Sequence, residues 1–182
     1  MQLPGTEKTV SVGVFGSSLP VEGEPDYEEA CAVGRELARR GARVVCGGYG
    51  GVMEAVCRGA AEQGGTSLGV VLAAKGVPNR WVTHTLVAPH LAERLKRLSE
   101  ESRAAIFLSR GLGTMLEVVW TAECVAKGDF APRPLVFLGD FWRELISAAV
   151  SEAAGRGRDV LASSVSFAAT PAEAVERALL RA

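Results

Sequence analysis

The sequence predicts a doubly wound, Rossmann-like α/β fold: a mainly parallel sheet with helices on both faces. Three observations lead to it. Short apolar, often β-branched runs alternate with amphipathic segments of helical period, the pattern of βαβ units joined by right-handed crossovers. The runs are apolar along their length, as strands buried on both faces require. Glycine-rich turns follow several of them, at the strand-to-helix junctions where such sheets receive ligands.

Residues 9 to 15 form the first predicted strand, ended by Gly16-Ser17-Ser18. Asp26-x-x-Glu29 reads as a helix start, Tyr27, Ala30, Cys31, Leu37 and Ala38 keep helical spacing, and Gly41 supplies the stop. The alternation repeats as strand 43 to 47, helix 51 to 63, strand 67 to 72, a looser stretch 73 to 83, a short strand 85 to 88 and helix 90 to 102. Strand 104 to 108 leads through Gly111-Leu112-Gly113-Thr114 into helix 115 to 127, followed by strand 134 to 138 and helix 141 to 155. Thr170-Pro171-Ala172-Glu173 combines a capping box with a proline at the first helical position and opens a final helix to the C-terminus. No repeat, low-complexity tract or linker divides the chain, so one domain over 1 to 182 is expected, with 1 to 8 a loose tail.

Composition narrows the function classes. With 48% hydrophobic and 23% charged residues, 182 residues can build an ordinary core, burying roughly 70% of the unfolded surface. The net charge of -1 comes from 20 basic and 21 acidic side chains spread along the chain, so no basic block suits a nucleic-acid partner. The start has no basic stretch leading into a long apolar run, and no segment is apolar for about 18 residues, so no membrane span and a cytoplasmic location are expected. Cys31, Cys46, Cys57 and Cys124 fall in separate predicted elements without a Cys-x-x-Cys pair. They read as small buried residues rather than as a zinc or redox site.

The glycine turns carry the chemistry. A glycine loop running into a helix presents free N–H groups and the positive end of the helix dipole, and missing side chains let a phosphate approach. Gly111-Leu112-Gly113-Thr114 either has this form, with the Thr114 hydroxyl as an added donor, or is a tight turn whose glycines only satisfy backbone angles, and Cys46-Gly47-Gly48-Tyr49-Gly50-Gly51-Val52-Met53 repeats the pattern at a second strand end. Neither is a Walker loop or the dinucleotide fingerprint, so a mononucleotide fits better than a triphosphate or NAD. Glu117, three residues after Thr114, reads either as the partner in a capping box or as a carboxylate beside the sugar. In helix 90 to 102 the expected buried stripe is Leu91, Leu95, Leu98 and Ser102, and Arg94 on its flank is either the basic residue that reaches inward or an ordinary flank residue burying its stem with its head in water. Helix 115 to 127 carries two apolar stripes, Met115, Val118, Val119, Ala122 and Ala126, and Leu116, Trp120 and Cys124. The surplus stripe suggests a covering partner, most simply a second copy of the chain across a two-fold interface, or else extra burial within one subunit.

Taken together, Gly16-Ser17-Ser18, Gly47-Gly48-x-x-Gly51-x-Met53, Arg94 and Gly111-x-Gly113-Thr114-x-x-Glu117 resemble the LONELY GUY family of cytokinin-activating phosphoribohydrolases, many of whose relatives are labelled lysine decarboxylase-like. The resemblance covers roughly residues 9 to 150. It implies a Rossmann-like homodimer that hydrolyses the N-glycosidic bond of an AMP-like purine nucleoside 5'-monophosphate, with adenine or an N6-substituted adenine as base, to free base and ribose 5-phosphate. It implies no metal or organic cofactor. By the same analogy Arg94 and Glu117 become the catalytic pair, while Gly16, Ser17, Ser18, Gly47, Gly48, Gly51, Met53, Gly111, Gly113 and Thr114 hold phosphate and sugar. A decarboxylase would need pyridoxal phosphate on a lysine, and Lys75, Lys96 and Lys127 lack such a context.

The chain departs from the family pattern at several points. Ser109 and Arg110 stand where the family has Pro-Gly, Cys46 and Glu54 replace glycines of the other motif, and Leu95 replaces a lysine. Arg110 could donate to the phosphate or crowd the loop. The alternative function is a non-hydrolytic carrier, like the molybdenum cofactor carrier proteins that look like this family in fold and glycine loops. Within stretch 73 to 83, Lys75, Asn79, Arg80 and Trp81 are candidates for reading the base.

Overall fold

The computed structural model describes residues 9–108, 110–153 and 159–180. The order is β1 (Ser11–Phe15), α1 (Pro25–Arg39), β2 (Arg43–Cys46), α2 (Val52–Glu62), β3 (Ser67–Leu72), a 3-10 turn (Ala73–Lys75) and β4 (His84–Ala88). Next come α3 (Leu91–Glu100), β5 (Ala104–Phe107), α4 (Leu112–Lys127), β6 (Leu135–Leu138), α5 (Arg143–Ala153), α6 (Asp159–Ser164), β7 (Val165–Ala168) and α7 (Pro171–Leu179).

The seven strands form one sheet in the order β4-β3-β2-β1-β5-β6-β7, every neighbouring pair parallel. The chain builds outward from β1 to β4, then returns to the other side of β1 with β5. That reversal is the switch point of a doubly wound sheet, where the crossovers on either side leave opposite faces and a crevice opens beyond the strand ends. Val12, Val14 and Val44 pack under α1, α2 and α7 on one face, while Phe15, Phe107 and Phe137 stack 5.3 and 5.0 Å apart under α3, α4, α5 and α6 on the other. Trp142, fully buried before α5, donates its indole N–H to the Leu108 carbonyl at 2.9 Å and so fixes the chain where β5 enters its glycine loop. No helix of the described residues is long and apolar enough to cross a membrane.

The fold class is the expected one, with differences in detail. Helix α1 starts at Pro25 with Glu24 as N-cap, so Asp26 lies in its first turn rather than starting it. Strand β7 went unread because Val165-Ser166-Phe167-Ala168 is four residues long, follows α6 with no turn residue between, and alternates polar with apolar. The Thr170 hydroxyl accepts from the Glu173 N–H as expected, but the Glu173 carboxylate reaches the N–H of Ala169, not that of the cap. The expected tail 1–8 and the ends of the two last predicted helices at 154–155 and 181–182 lie outside the described residues.

Two predicted stripes need correction. In α3 the buried side chains are Arg94, Leu95, Leu98 and Ser99, with Ser102 buried just beyond, while Leu91 stands 46% exposed at the first turn. In α4 the sheet-facing stripe is Thr114, Glu117, Val118, Thr121 and Val125, and Met115, Leu116 and Val119 are exposed. Four large apolar residues of the first two turns, Leu112, Met115, Leu116 and Val119, thus stay exposed, while Thr114 and Glu117 are buried there beside Val118.

Candidate active site

The crevice at the β1/β5 switch point is a cleft of about 820 Å³, and its walls include Gly16, Ser17, Ser18, Gly47, Met53, Arg94, Gly111, Gly113, Thr114 and Glu117. Of the residues singled out from sequence, Gly48 and Gly51 stand behind this wall.

Gly51 has φ 66 and ψ -136, a conformation open only to glycine. A Cβ there would fall on the Ser17 carbonyl and lie 2.6 Å from Ser18 Cα. With Gly51 bare, the Ser17 carbonyl accepts the first N–H of α2, from Val52, at 2.9 Å, and the β1 and β2 loops lock together. Gly47 is bare for another reason: a Cβ there would collide with the Arg94 guanidinium and lie 2.6 Å from Met53 Sδ. Asn79 pins this turn from outside, its side-chain amide donating to the Tyr49 and Gly48 carbonyls at 2.8 and 3.2 Å.

Arg94 lies flat against Gly47. Its Nε donates to the Val70 carbonyl at 2.8 Å, its Nη1 stands 3.6 Å from Glu117 Oε1, and its guanidinium carbon sits 5.7 Å from the Tyr49 ring centre. Both Arg94 and Glu117 are 9% exposed. Burial raises the Glu117 carboxyl to about 7, against the opposing pull of Arg94. A carboxyl in this state changes charge near neutral pH, as a general acid or base must. The capping-box reading of Glu117 is corrected: α4 begins at Leu112 with Gly111 as N-cap, so Thr114 is inside the helix and caps nothing.

That leaves the α4 N-terminus open. Gly111 provides no side-chain cap, and the Thr114 hydroxyl, 2% exposed, is buried without a hydrogen-bond partner. A buried hydroxyl left so costs about 1 to 3 kcal/mol. A Cβ on Gly113 would meet nothing within 4 Å, so neither packing nor backbone geometry demands glycine there. Arg110, just before the N-cap, has φ 66, the one non-glycine residue of positive φ in the described chain. Its partner in the loop, Ser109, lies outside the described residues.

Some site features escaped the sequence. Tyr49 closes the cleft floor, its hydroxyl accepting the Leu72 N–H at 2.8 Å, and an aromatic inside a glycine run was its only signal. Of stretch 73 to 83, Lys75 lines the cleft, Asn79 acts through the turn, and Arg80 stacks on Trp81 away from it. Lys96 and Lys127 pair with Glu100 and Glu123 on helix surfaces. Cys31, Cys46 and Cys57 are buried, and Cys124 is half-buried. Cys46 and Cys57, far apart as motifs, meet with sulfurs 3.4 Å apart beneath Gly48. Their shared hydrogen bond, then burial, pushes the Cys46 thiol well up. Among the described residues no three or more His, Cys, Asp or Glu side chains gather as a metal site.

The sequence model of the SLOG cluster4 family matches residues 9–128, which hold every element of this cleft. The molybdenum cofactor carrier protein of Chlamydomonas reinhardtii is similar in structure, with a TM-score of 0.75 at 26% identity over 93% of this chain and 95% of that one. The molybdenum cofactor binding protein of Rippkaea orientalis superposes with a TM-score of 0.72 at 23% identity, covering 94% and 96%, a likeness of fold. An uncharacterised protein of Archaeoglobus fulgidus is 31% identical over 114 residues, 61% of this chain and 72% of its own length.

Proposed function

The chain belongs to the SLOG cluster4 family, and from that premise we propose that it hydrolyses the N-glycosidic bond of an adenine-type nucleoside 5'-monophosphate, releasing free base and ribose 5-phosphate. The observation that carries this reading is Glu117, a buried carboxyl raised to about 7 beside Arg94, in the same cleft as an uncapped helix end and an unpartnered Thr114 hydroxyl. The helix end and Thr114 suit the phosphate; Gly113 leaves room for it. The fixed phosphate then brings C1' of the ribose toward Glu117, making attack effectively intramolecular. As the bond from C1' to the base nitrogen breaks, positive charge grows on the ribose. The Glu117 carboxylate stabilises it and takes a proton from the water whose oxygen bonds to C1', while the base leaves with the bonding electron pair and takes a proton from solvent, to which Glu117 then returns its own. Arg94 is committed to the Val70 carbonyl and holds the carboxylate in register.

The test is to incubate the protein with a panel of nucleoside 5'-monophosphates and measure free base by chromatography. Adenine release from AMP is the expected result. AMP binding without base release supports the second reading, a non-hydrolytic carrier. That reading is favoured by the likeness to the Chlamydomonas carrier over nearly the full length of both chains.

The same reading includes a homodimer through α4. Leu112, Met115, Leu116 and Val119 are 86, 39, 40 and 59% exposed on one side of the helix, an apolar patch of the sort that marks an interface. Val119→Asp is expected to convert a dimer to monomer in sedimentation; a wild-type chain that sediments as a monomer defeats this part.

A further inference from the structure

Wherever else the described backbone takes a positive φ, the residue is glycine: nine positions in all, against the single exception of Arg110. A residue with a Cβ is strained there, and glycine or asparagine would relieve it. Among the described residues, the contact of Arg110 with Asp26 does little to offset the strain. The Arg110 side chain is 70% exposed, and its Nε comes only to 4.0 Å from Asp26 Oδ2, the outer limit of an ion pair, which contributes little at a surface.

What Arg110 adjoins is the open end of α4. Directly after it come the uncapped Gly111, the free N–H groups of the first helical turn and, facing them, the buried and unpartnered Thr114 hydroxyl. The basic side chains on the cleft wall are Arg94 and Lys75, and Arg94 is engaged by Val70 and Glu117. We propose that Arg110 is the phosphate-capping residue of this site: on binding, its guanidinium leaves Asp26, turns over the loop and takes two non-bridging oxygens of the phosphate bound at α4. A planar guanidinium fork matches those oxygens in a way a lone ammonium does not. The site thereby selects phosphate monoesters over neutral nucleosides. The inference rests on the reading of the ligand as a nucleoside monophosphate and deepens it; it does not need hydrolysis to occur.

Calorimetric titration of AMP, inorganic phosphate and adenosine into the Glu117→Gln protein, with and without Arg110→Asn or Arg110→Lys, tests it without turnover. Asparagine tolerates the left-handed backbone, so Arg110→Asn is expected to melt no lower than its parent. It is expected to bind AMP and phosphate about tenfold or more weakly with adenosine unchanged, and Arg110→Lys to regain part of the loss. Arg110→Asn binding AMP as tightly as its parent overturns the proposal. So does an equal loss for adenosine, a clear drop in melting temperature, or a parent protein that fails to prefer AMP to adenosine. Failure of the hydrolase reading shows elsewhere, as AMP bound by the wild-type chain with no adenine released.

Discussion

The two glycine turns look alike in sequence and differ in what their glycines are for. At Gly47 and Gly51 the missing side chains are filled by the protein itself: Arg94 and Met53 occupy the space at one, Ser17 and Ser18 at the other. At Gly113 the space is open, the neighbouring hydroxyl has no partner, and an arginine is strained where glycine would be relaxed. The first turn is a bracket that seats an arginine; the second keeps open space beside an unpartnered hydroxyl. Glycine content alone therefore does not tell a structural turn from one with room for a phosphate.

The contrast can be broken by experiment. The largest expected effect concerns the group that the bracket serves. Glu117→Gln is expected to lower adenine release from AMP by about 100-fold or more while AMP still binds. The wild-type rate is expected to fall as the carboxyl protonates below about pH 7. A rate flat from pH 5 to 8 removes Glu117 from the chemistry.

Gly51→Ala comes next, since it forces a Cβ into the Ser17 and Ser18 backbone. Urea unfolding is expected to show a loss of roughly 2 to 4 kcal/mol, and an alanine variant as stable as wild type ends the distinction between the turns. Linkage gives a third test. Glu117 titrates at about 7 in the fold against an ordinary 4.5, so folding favours its protonated form. That stabilisation is present below about 4.5 and is lost as pH rises through 7. At pH 8 Glu117→Gln is accordingly expected to unfold at higher denaturant than wild type, by on the order of 1 to 3 kcal/mol, the gap closing toward pH 4. The smallest effect belongs to the open turn: Gly113→Ala leaves stability within about 1 kcal/mol of wild type yet weakens AMP about tenfold by entering the phosphate's space. Unchanged affinity there means no phosphate approaches Gly113.

The fold was legible because it depends on repeated apolar strands, and a four-residue mixed strand such as β7 lacked the length to announce itself. Arg94 was found by its helical angle, since 100° per residue brought it beside Leu95 and Leu98. The face of α4 departs from the sequence expectation for a physical reason: hydrophobicity predicts the side that meets the sheet, whereas this helix buries Thr114, Glu117 and Thr121 and exposes Met115, Leu116 and Val119. The roles of Tyr49 and the Val70 carbonyl are not legible in the sequence, because what seats Arg94 is one aromatic ring and one backbone oxygen brought together by the pairing of β2 with β3.

The pairing of β1 with β5 has a kinetic consequence. β2, β3 and β4 all intervene in the chain between these neighbours, so their contact closes a long loop, and long-range pairings of this kind form slowly. The Ser17 loop and the α4 end meet only once that closure is made, Ser17 Cα lying 3.4 Å from where a Gly111 Cβ would be. Formation of the cleft thus depends on that closure, and refolding followed by AMP binding is expected to lag behind the recovery of helix signal.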